Sequence, residues 1–242
     1  MDFETALADA LYVNWAVAPG ALPSPPPPLA LDRTLADGES WAFVTLVLFR
    51  QRGLHAVALP WPRLSFPQCN LRLPVRDDEG VASVWLLREL VPAWVVPLAR
   101  GLGRQPASAA MFGGGDSGAR GRRWSVYAGA SLSVVARPSS PPATVPRLGG
   151  WQETVAFFRE RPRAYVGAGR RLRRAETVHP RVEARPVTVE VERDEWLAGQ
   201  LPEVPREIWR RPHSAFLLEA VALEVAVERE SAFSAGTAPA AT

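Results

Sequence analysis

Residues 39–50 read ESWAFVTLVLFR, and this stretch decides the fold class. The aromatic and β-branched residues that give it the composition of a strand are Trp41, Phe43, Val44, Val47 and Phe49. These residues fall on both odd and even positions. Because side chains of a strand point alternately to its two faces, the stretch predicts a strand that is buried on both faces.

Other segments also have the composition or spacing of strands. Residues 185–193 set Val187, Val189 and Val191 against polar neighbours, which is the period-two pattern of a half-exposed strand. Residues 217–229 alternate similarly, with a helix as the competing interpretation. Three further strands are predicted, over residues 70–75, 80–87 and 124–136.

Helices are predicted to be fewer than strands. Residues 2–12 predict a short opening helix, and Pro92 is suited to the first turn of a second helix that runs to residue 100. A third helix is predicted over residues 149–161 because their large apolar side chains recur at helical spacing. The glycine-rich residues 113–121 are predicted to form a loop.

Length and composition favour a single compact domain over residues 1–230, followed by a flexible tail of small residues over 231–242. All 28 basic side chains are arginine, and the chain contains no lysine. The net charge of +3 gives no indication of nucleic-acid binding. With one cysteine, Cys69, no apolar run long enough to span a bilayer and no secretory leader, we expect a cytoplasmic protein without a membrane partner.

Three motifs carry a resemblance to a known family. They are the run from Phe66 to Arg72, the run from Ala99 to Pro106, and the segment from Phe157 through Tyr165 to His179 and Pro180. In their order and spacing they resemble an uncharacterised bacterial family, a domain of unknown function in the acetoacetate decarboxylase-like superfamily. The resemblance implies an α+β fold in which a strongly curved antiparallel β-sheet closes into a barrel or cone with a central cavity and a few covering helices.

The resemblance also bears on chemistry. Decarboxylases of the superfamily carry a Schiff-base lysine directly after a proline that follows an arginine at fixed spacing. Arg100 and Pro106 keep that spacing here, but the next residue is Ala107. An alanine has no amine to form an imine, so Schiff-base decarboxylation is excluded. The resemblance also implies an acidic residue near the start of the strand predicted over residues 70–75. The residue at that position is Gln68, whose side chain does not transfer a proton at neutral pH.

The family motifs suggest that five polar residues line the cavity: Asn70, Arg72, Arg100, Tyr165 and His179. An arginine inside a barrel recognises a carboxylate with two hydrogen bonds, so we expect a small organic acid as ligand. Two structural alternatives remain open. The arginines Arg72 and Arg100 could form buried ion pairs with carboxylates such as Glu89, and a histidine before a proline is often a structural loop residue.

Other chemistry finds little support in the sequence. His55, His179 and His213 lack metal-ligand spacing, and no motif indicates a cofactor. Seven arginines over residues 159–174 could meet a polyanion, but one aromatic residue among them is too few for base stacking, so a solvated surface is the favoured interpretation.

Three functional hypotheses follow from these features. The favoured one is a small-molecule binding protein that keeps the superfamily cavity without its catalytic amine. The second is an enzyme that uses other chemistry in that cavity, with His179 or Tyr165 as acid or base. The third is a protein-interaction module or homo-oligomeric building block with a filled barrel and an apolar surface patch.

Overall fold

A computed structural model describes residues 2–103, 106–116, 121–142, 145–167, 172–178 and 182–227. The predicted tail over residues 231–242 lies outside these ranges. The strands are β1 Asp2–Val17, β2 Ala30–Leu31, β3 Thr34–Ala36, β4 Glu39–Ala56, β5 Leu59–Arg76, β6 Ala82–Val91, β7 Ala107–Ala109, β8 Met111–Asp116, β9 Arg122–Tyr127, β10 Ser131–Pro138, β11 Arg163–Val166, β12 Arg173–Val178, β13 Arg185–Arg193 and β14 Ser214–Val227. The helices are α1 Val96–Leu98, α2 Trp151–Arg159, α3 Glu195–Gln200 and α4 Arg206–Trp209, with a 3-10 turn at Pro19–Ala21 and a π turn at Ala99–Gly103.

Seven strands form a closed barrel in the order β1, β4, β5, β6, β11, β12 and β14. Strand β14 returns to pair with β1 along most of its length, from Asp2 opposite Ala226 to Asn14 opposite Ser214. The pairings around the barrel are antiparallel except that of β6 with β11, which is parallel. The predicted curved sheet that closes on itself is therefore confirmed, and the parallel pair makes the barrel mixed.

A second group of strands continues from the barrel. Strand β13 pairs with the first residues of β14, whereas β12 pairs with its last residues, so the sheet divides at β14. Beyond β13 the order runs through β10 and β9 to β8, and each of these pairings is antiparallel. This group forms a side sheet, a name used below for β8, β9, β10 and β13.

Strand β4 contains the stretch that predicted the fold class. Its residues 42–49 are all buried, as expected for a strand covered on both faces. Val44 and Leu46 belong to a large core that also contains Val134 of the side sheet and Leu197 of α3. On the opposite face of β4, Phe43 belongs to a smaller α2 core, which we define as Tyr12, Phe43, Val47, Phe158 and their apolar neighbours.

The predicted opening helix over residues 2–12 is wrong, because this segment lies within β1. Strand β1 sits between β4 and β14 and pairs with both. The alanines and leucines of the segment have high helix propensity, but that preference amounts to a few tenths of a kcal/mol per residue. Two flanking strands offer backbone hydrogen bonds and bury most of the segment, and these tertiary contacts outweigh local propensity.

Most other predicted elements are present with altered bounds. Residues 185–193 form β13 as predicted, and residues 217–227 form a strand, not the competing helix. The single strand predicted over residues 124–136 is a hairpin of β9 and β10. Gly129 in its turn has a φ of 75°, a left-handed conformation that glycine adopts without steric strain. The predicted loop over residues 113–121 is wrong in its first half, which belongs to β8.

Candidate functional site

Strand β5 carries polar side chains on one face near its middle. Cys69 and Leu71 are fully buried in the large core, so alternation places Gln68, Asn70 and Arg72 on the opposite face. Gln68 is buried, whereas Asn70 and Arg72 are half-buried and reach solvent. This face brings together two of the residues that the sequence predicted for a ligand site.

Glu89 of β6 lies directly across from Asn70. Gln68 Nε2 donates hydrogen bonds to Glu89 Oε1 at 3.0 Å and to Asn70 Oδ1 at 2.9 Å, which fixes the orientation of the Gln68 amide. Burial raises the pKa of the Glu89 carboxyl to about 7. Within the described residues, Glu89 has no ion-pair partner, and its Oε2 atom has no hydrogen bond.

Arg100 and Ala107 lie beside this cluster. Arg100 is an exposed residue, and its Nε donates to the Ala107 carbonyl oxygen at 2.9 Å. Ala107 is in register with Glu89 across the parallel pair of β6 and β7. Its fully buried side chain belongs to a small apolar cluster with Phe66 and Val95. Ala107, the residue that follows Pro106, is therefore adjacent to a buried carboxyl group.

Arg72 is held by a backbone carbonyl group and an aromatic ring, and it has no anionic partner among the described residues. Its Nη2 donates to the Phe158 carbonyl oxygen at 3.1 Å, and its guanidinium carbon lies 5.0 Å from the centre of the Tyr12 ring. The Nε atom is buried and has no acceptor. Among the described residues, neither Arg72 nor Arg100 contacts Glu89 or any other carboxylate, so the structure does not show the buried ion pairs considered as the alternative.

A row of polar residues leads across the barrel to Arg72. Ser214, Asn14, Thr45 and Arg72 occupy successive register positions on β14, β1, β4 and β5. Asn14 Nδ2 donates to Ser214 Oγ at 3.2 Å, and Thr45 Oγ1 donates to Asn14 Oδ1 at 2.9 Å. Asn14 and Thr45 are fully buried. These hydrogen bonds satisfy the first three members of the row and leave Arg72 as its half-buried end.

Tyr165 lies elsewhere. It belongs to the large core, on the opposite face of the sheet from Asn70, and its hydroxyl donates to Asp77 Oδ2 at 2.9 Å. Burial and this hydrogen bond raise the pKa of Tyr165 to about 12. Arg163 Nη1 also donates to Asp77 Oδ2, at 2.8 Å. The structure therefore does not bring Tyr165 together with Asn70 and Arg72.

The remaining predicted residue, His179, lies outside the described residues. Two residues of the observed cluster, Gln68 and Glu89, were not predicted as ligand residues. Gln68 was considered only as the replacement of a family acid, and Glu89 only as an ion-pair partner. Each directly precedes an apolar residue near a predicted strand, Cys69 or Leu90, and a polar residue at such a position is the sequence signal that could have identified both.

The described part of the chain shows neither a metal site nor a reactive cysteine. It contains no group of three or more His, Cys, Asp or Glu side chains that could hold a metal ion. Burial raises the pKa of the Cys69 thiol far above its usual range, which makes it unreactive. A separate groove of about 510 Å³ crosses the side sheet near Arg123, Ser133 and Glu192, and none of the predicted ligand residues lines it.

The arginine-rich segment is largely bound by the protein's own carboxylates. Arg161 is 3% exposed and its Nη2 lies 2.9 Å from Asp32, whereas Arg163 pairs with Asp77 and Glu79. Arg170 and Arg171 lie outside the described residues. These ion pairs indicate that Arg161 and Arg163 have structural roles. No helix in the described ranges is long and apolar enough to cross a membrane.

Several solved structures share the fold. The enduracididine biosynthesis enzyme MppR complexed with pyruvate has a TM-score of 0.57 and 16% identity, covering 97% of this chain and 92% of the other. An acetoacetate decarboxylase-like enzyme from Sphingomonas wittichii RW1 has a TM-score of 0.58 and 10% identity, covering 95% and 92%. An acetoacetate decarboxylase has a TM-score of 0.56 and 13% identity, covering 93% and 89%.

These identities are too low to transfer an activity, and they establish a shared fold. No curated protein matches the chain. The sequence itself matches a family model over residues 4–219, which is nearly the whole barrel and the side sheet. The chain therefore belongs to the family DUF2071, described as an uncharacterized conserved protein.

Proposed function

We propose that this protein binds a small organic carboxylate on the polar face formed by Asn70 and Arg72, next to Glu89. The observation that carries the proposal is the half-buried guanidinium of Arg72, which no described carboxylate neutralises. The Nε of Arg72 is buried and has no acceptor among the described residues. A buried donor that lacks its hydrogen bond costs about 1 to 3 kcal/mol. A carboxylate ligand would supply that acceptor in charge-assisted form.

The neighbouring groups suit the same ligand class. Asn70 uses its Oδ1 as the acceptor for Gln68, which leaves its Nδ2 as a donor on the same face as Arg72. Residues two apart on a strand lie roughly 6.5 to 7 Å apart, so both side chains are within reach of a ligand of three to five carbons. The ligand class is therefore a short-chain organic acid.

The chemistry of the site differs from that of Schiff-base enzymes. The chain has no lysine, so no lysine side chain forms an imine with a carbonyl ligand. The structural relative MppR was solved with pyruvate, which makes pyruvate a suitable first probe. Because this chain lacks the amine, we expect its binding of pyruvate to be reversible and non-covalent.

Isothermal titration calorimetry with pyruvate tests the proposal. We expect saturable binding that Arg72→Gln weakens at least tenfold, because the variant removes the cation and keeps an amide donor. Arg185→Gln is the matched control, since Arg185 is exposed, pairs with Glu219 and lies on β13, which is not one of the seven barrel strands. Thermal unfolding checks that both variants fold. Equal affinity in wild type and Arg72→Gln, or no binding of pyruvate, acetate or propanoate, would contradict the proposal.

A lysine variant gives an independent test of where the ligand lies. Ala107→Lys introduces the sole lysine of the chain beside Glu89, so borohydride reduction in the presence of pyruvate has no lysine background. We expect a covalent adduct that peptide mass spectrometry locates at position 107. If this variant folds and binds pyruvate but no adduct forms, the ligand lies out of reach of that position and the assigned location is wrong.

A further inference from the structure

Glu89 is the one buried carboxyl group on the polar face of the proposed site. It is 6% exposed, and its Oε1 accepts from Gln68 at 3.0 Å. Gln68 is held in turn by Asn70, at 2.9 Å. The amide of Gln68 therefore presents a donor to Glu89 in a fixed orientation, and no described residue bonds the second oxygen of Glu89.

The surroundings of Glu89 contain no ion-pair partner within the described part of the chain. The groups that face it are the amides of Gln68 and Asn70 on β5 and the methyl group of Ala107 on β7. The nearby cations are Arg72 on β5, which bonds Phe158, and Arg100 on the π turn, which bonds the Ala107 carbonyl. Burial accordingly raises the pKa of Glu89 to about 7.

A carboxylate ligand next to Glu89 would strengthen this effect. Two like charges in a poorly solvated site disfavour each other, so one of the two carboxyl groups takes up a proton. The ligand's carboxylate is neutralised by Arg72, which leaves Glu89 as the group that is protonated. Protonated Glu89 then has an O–H donor in addition to the oxygen that accepts from Gln68.

We infer that Glu89 is a specificity-determining residue which, as the neutral acid, donates a hydrogen bond to an oxygen on the carbon next to the ligand's carboxylate. The site would thus select 2-oxo or 2-hydroxy acids over simple fatty acids, and it would bind them together with one proton. The inference rests on the proposed function, because it requires a carboxylate at Arg72. It adds the ligand class and the proton that the proposed function does not specify.

Calorimetry at pH 6 and pH 8 with pyruvate, L-lactate and propanoate tests the inference. With Glu89 titrating near 7, we expect the wild-type affinity for pyruvate to fall about tenfold from pH 6 to pH 8. Titrations at pH 8 in phosphate and in Tris, whose ionisation heats differ, should reveal the uptake of about one proton per ligand. Propanoate lacks the second oxygen and is expected to bind at least tenfold more weakly than pyruvate at pH 6.

Glu89→Gln is the decisive variant, because its amide imitates the neutral acid. One end of the new side chain can accept from Gln68 while the other donates to the ligand. We expect it to bind pyruvate at pH 8 with the wild-type affinity of pH 6, without proton uptake and without dependence on pH. Glu219→Gln, at an exposed position, is the control and should behave as wild type.

The outcomes separate the two proposals. If no acid binds the wild-type protein, the proposed function itself fails. If pyruvate binds in a manner that requires Arg72 but shows no proton uptake, and Glu89→Gln keeps the wild-type pH profile, the inference about Glu89 is overturned while the binding function stands.

Discussion

Asp77, in the turn before β6, and Glu89, within β6, are both buried carboxyl groups, but their partners differ. Asp77 accepts from Arg163, Tyr165 and two backbone amides, and these hydrogen bonds outweigh the effect of burial and lower its pKa. Glu89 accepts from one neutral amide, and burial raises its pKa. The first carboxyl group has the environment of a structural anion, and the second has that of a group kept ready to change its charge.

The arginines show the same division. Arg161 is 3% exposed and donates to Asp32 and to three backbone carbonyl oxygens, so its hydrogen bonds are made within the protein. Arg72 is partly exposed and has no carboxylate partner in the part of the chain that the structure describes. Arg161 therefore has the contacts of a structural cation, whereas Arg72 has a charge that the proposed ligand would neutralise.

The largest expected effect follows from breaking the satisfied region. Asp32→Ala leaves Arg161 buried without its carboxylate, and we expect it to lower the free energy of unfolding by about 3 to 5 kcal/mol. Urea unfolding at pH 7 measures this change. The double variant Asp32→Ala with Arg161→Met removes both charges and should recover part of the loss. A loss below about 1 kcal/mol in the single variant would show that solvent reaches Arg161.

The next largest effect is the change in the free energy of unfolding with pH that Glu89 causes. Because its folded pKa of about 7 is above the ordinary 4.5, the folded protein holds the proton that the unfolded chain releases between these values. Stability from this group is present below pH 4.5 and is lost as pH rises through 7, by on the order of 3 kcal/mol. Glu89→Gln should therefore be more stable than wild type at pH 8 and similar at pH 4.5, as urea unfolding at both values would show.

The contribution of Asp77 to stability depends on pH with the opposite sign. Its folded pKa is lowered, so its contribution is present above the ordinary pKa and is lost as pH falls through the folded value. Asp77→Asn should therefore destabilise the protein at pH 8, where Glu89→Gln stabilises it. If both variants change stability in the same direction at pH 8, the distinction between the two carboxyl groups is wrong.

A smaller effect is expected at Tyr165. Tyr165→Phe removes the hydroxyl that donates to Asp77 and should lower the free energy of unfolding by about 2 kcal/mol, the usual value for a hydrogen bond to a charged group. Because Tyr165 lies on the opposite face of the sheet from Asn70, pyruvate affinity should stay within twofold of wild type. A tenfold loss of pyruvate affinity in a folded variant would show that Tyr165 belongs to the ligand site.

The smallest effect belongs to the surface. Arg185 and Glu219 form an ion pair whose side chains are both exposed. Arg185→Ala should change the free energy of unfolding by less than about 1 kcal/mol, and salt should reduce even this difference. Urea unfolding at low and high ionic strength measures it. A larger, salt-independent loss would show that the pair is less solvated than its exposure indicates.

The sequence predicted a strand correctly where its apolar residues follow the faces that the strand buries. The apolar run of β4 and the alternation of β13 indicated their elements because each pattern reflects the faces that those strands bury. The first strand was missed, since its alanine-rich composition is compatible with a helix and its conformation is fixed by β4 and β14. Asn70 and Arg72 were predicted for the site and lie on one face, whereas Tyr165 was predicted with them and packs on the other.

The sequence by itself determined what the side chains could do. It excluded lysine chemistry and placed an alanine after Pro106, whatever the fold. The tertiary structure alone decided which charges are neutralised, because the partners are far apart along the chain: Gln68 and Glu89 are 21 residues apart, and Arg161 and Asp32 are 129 apart. Pairing between such distant residues depends on strand register, and register is fixed only when the barrel closes.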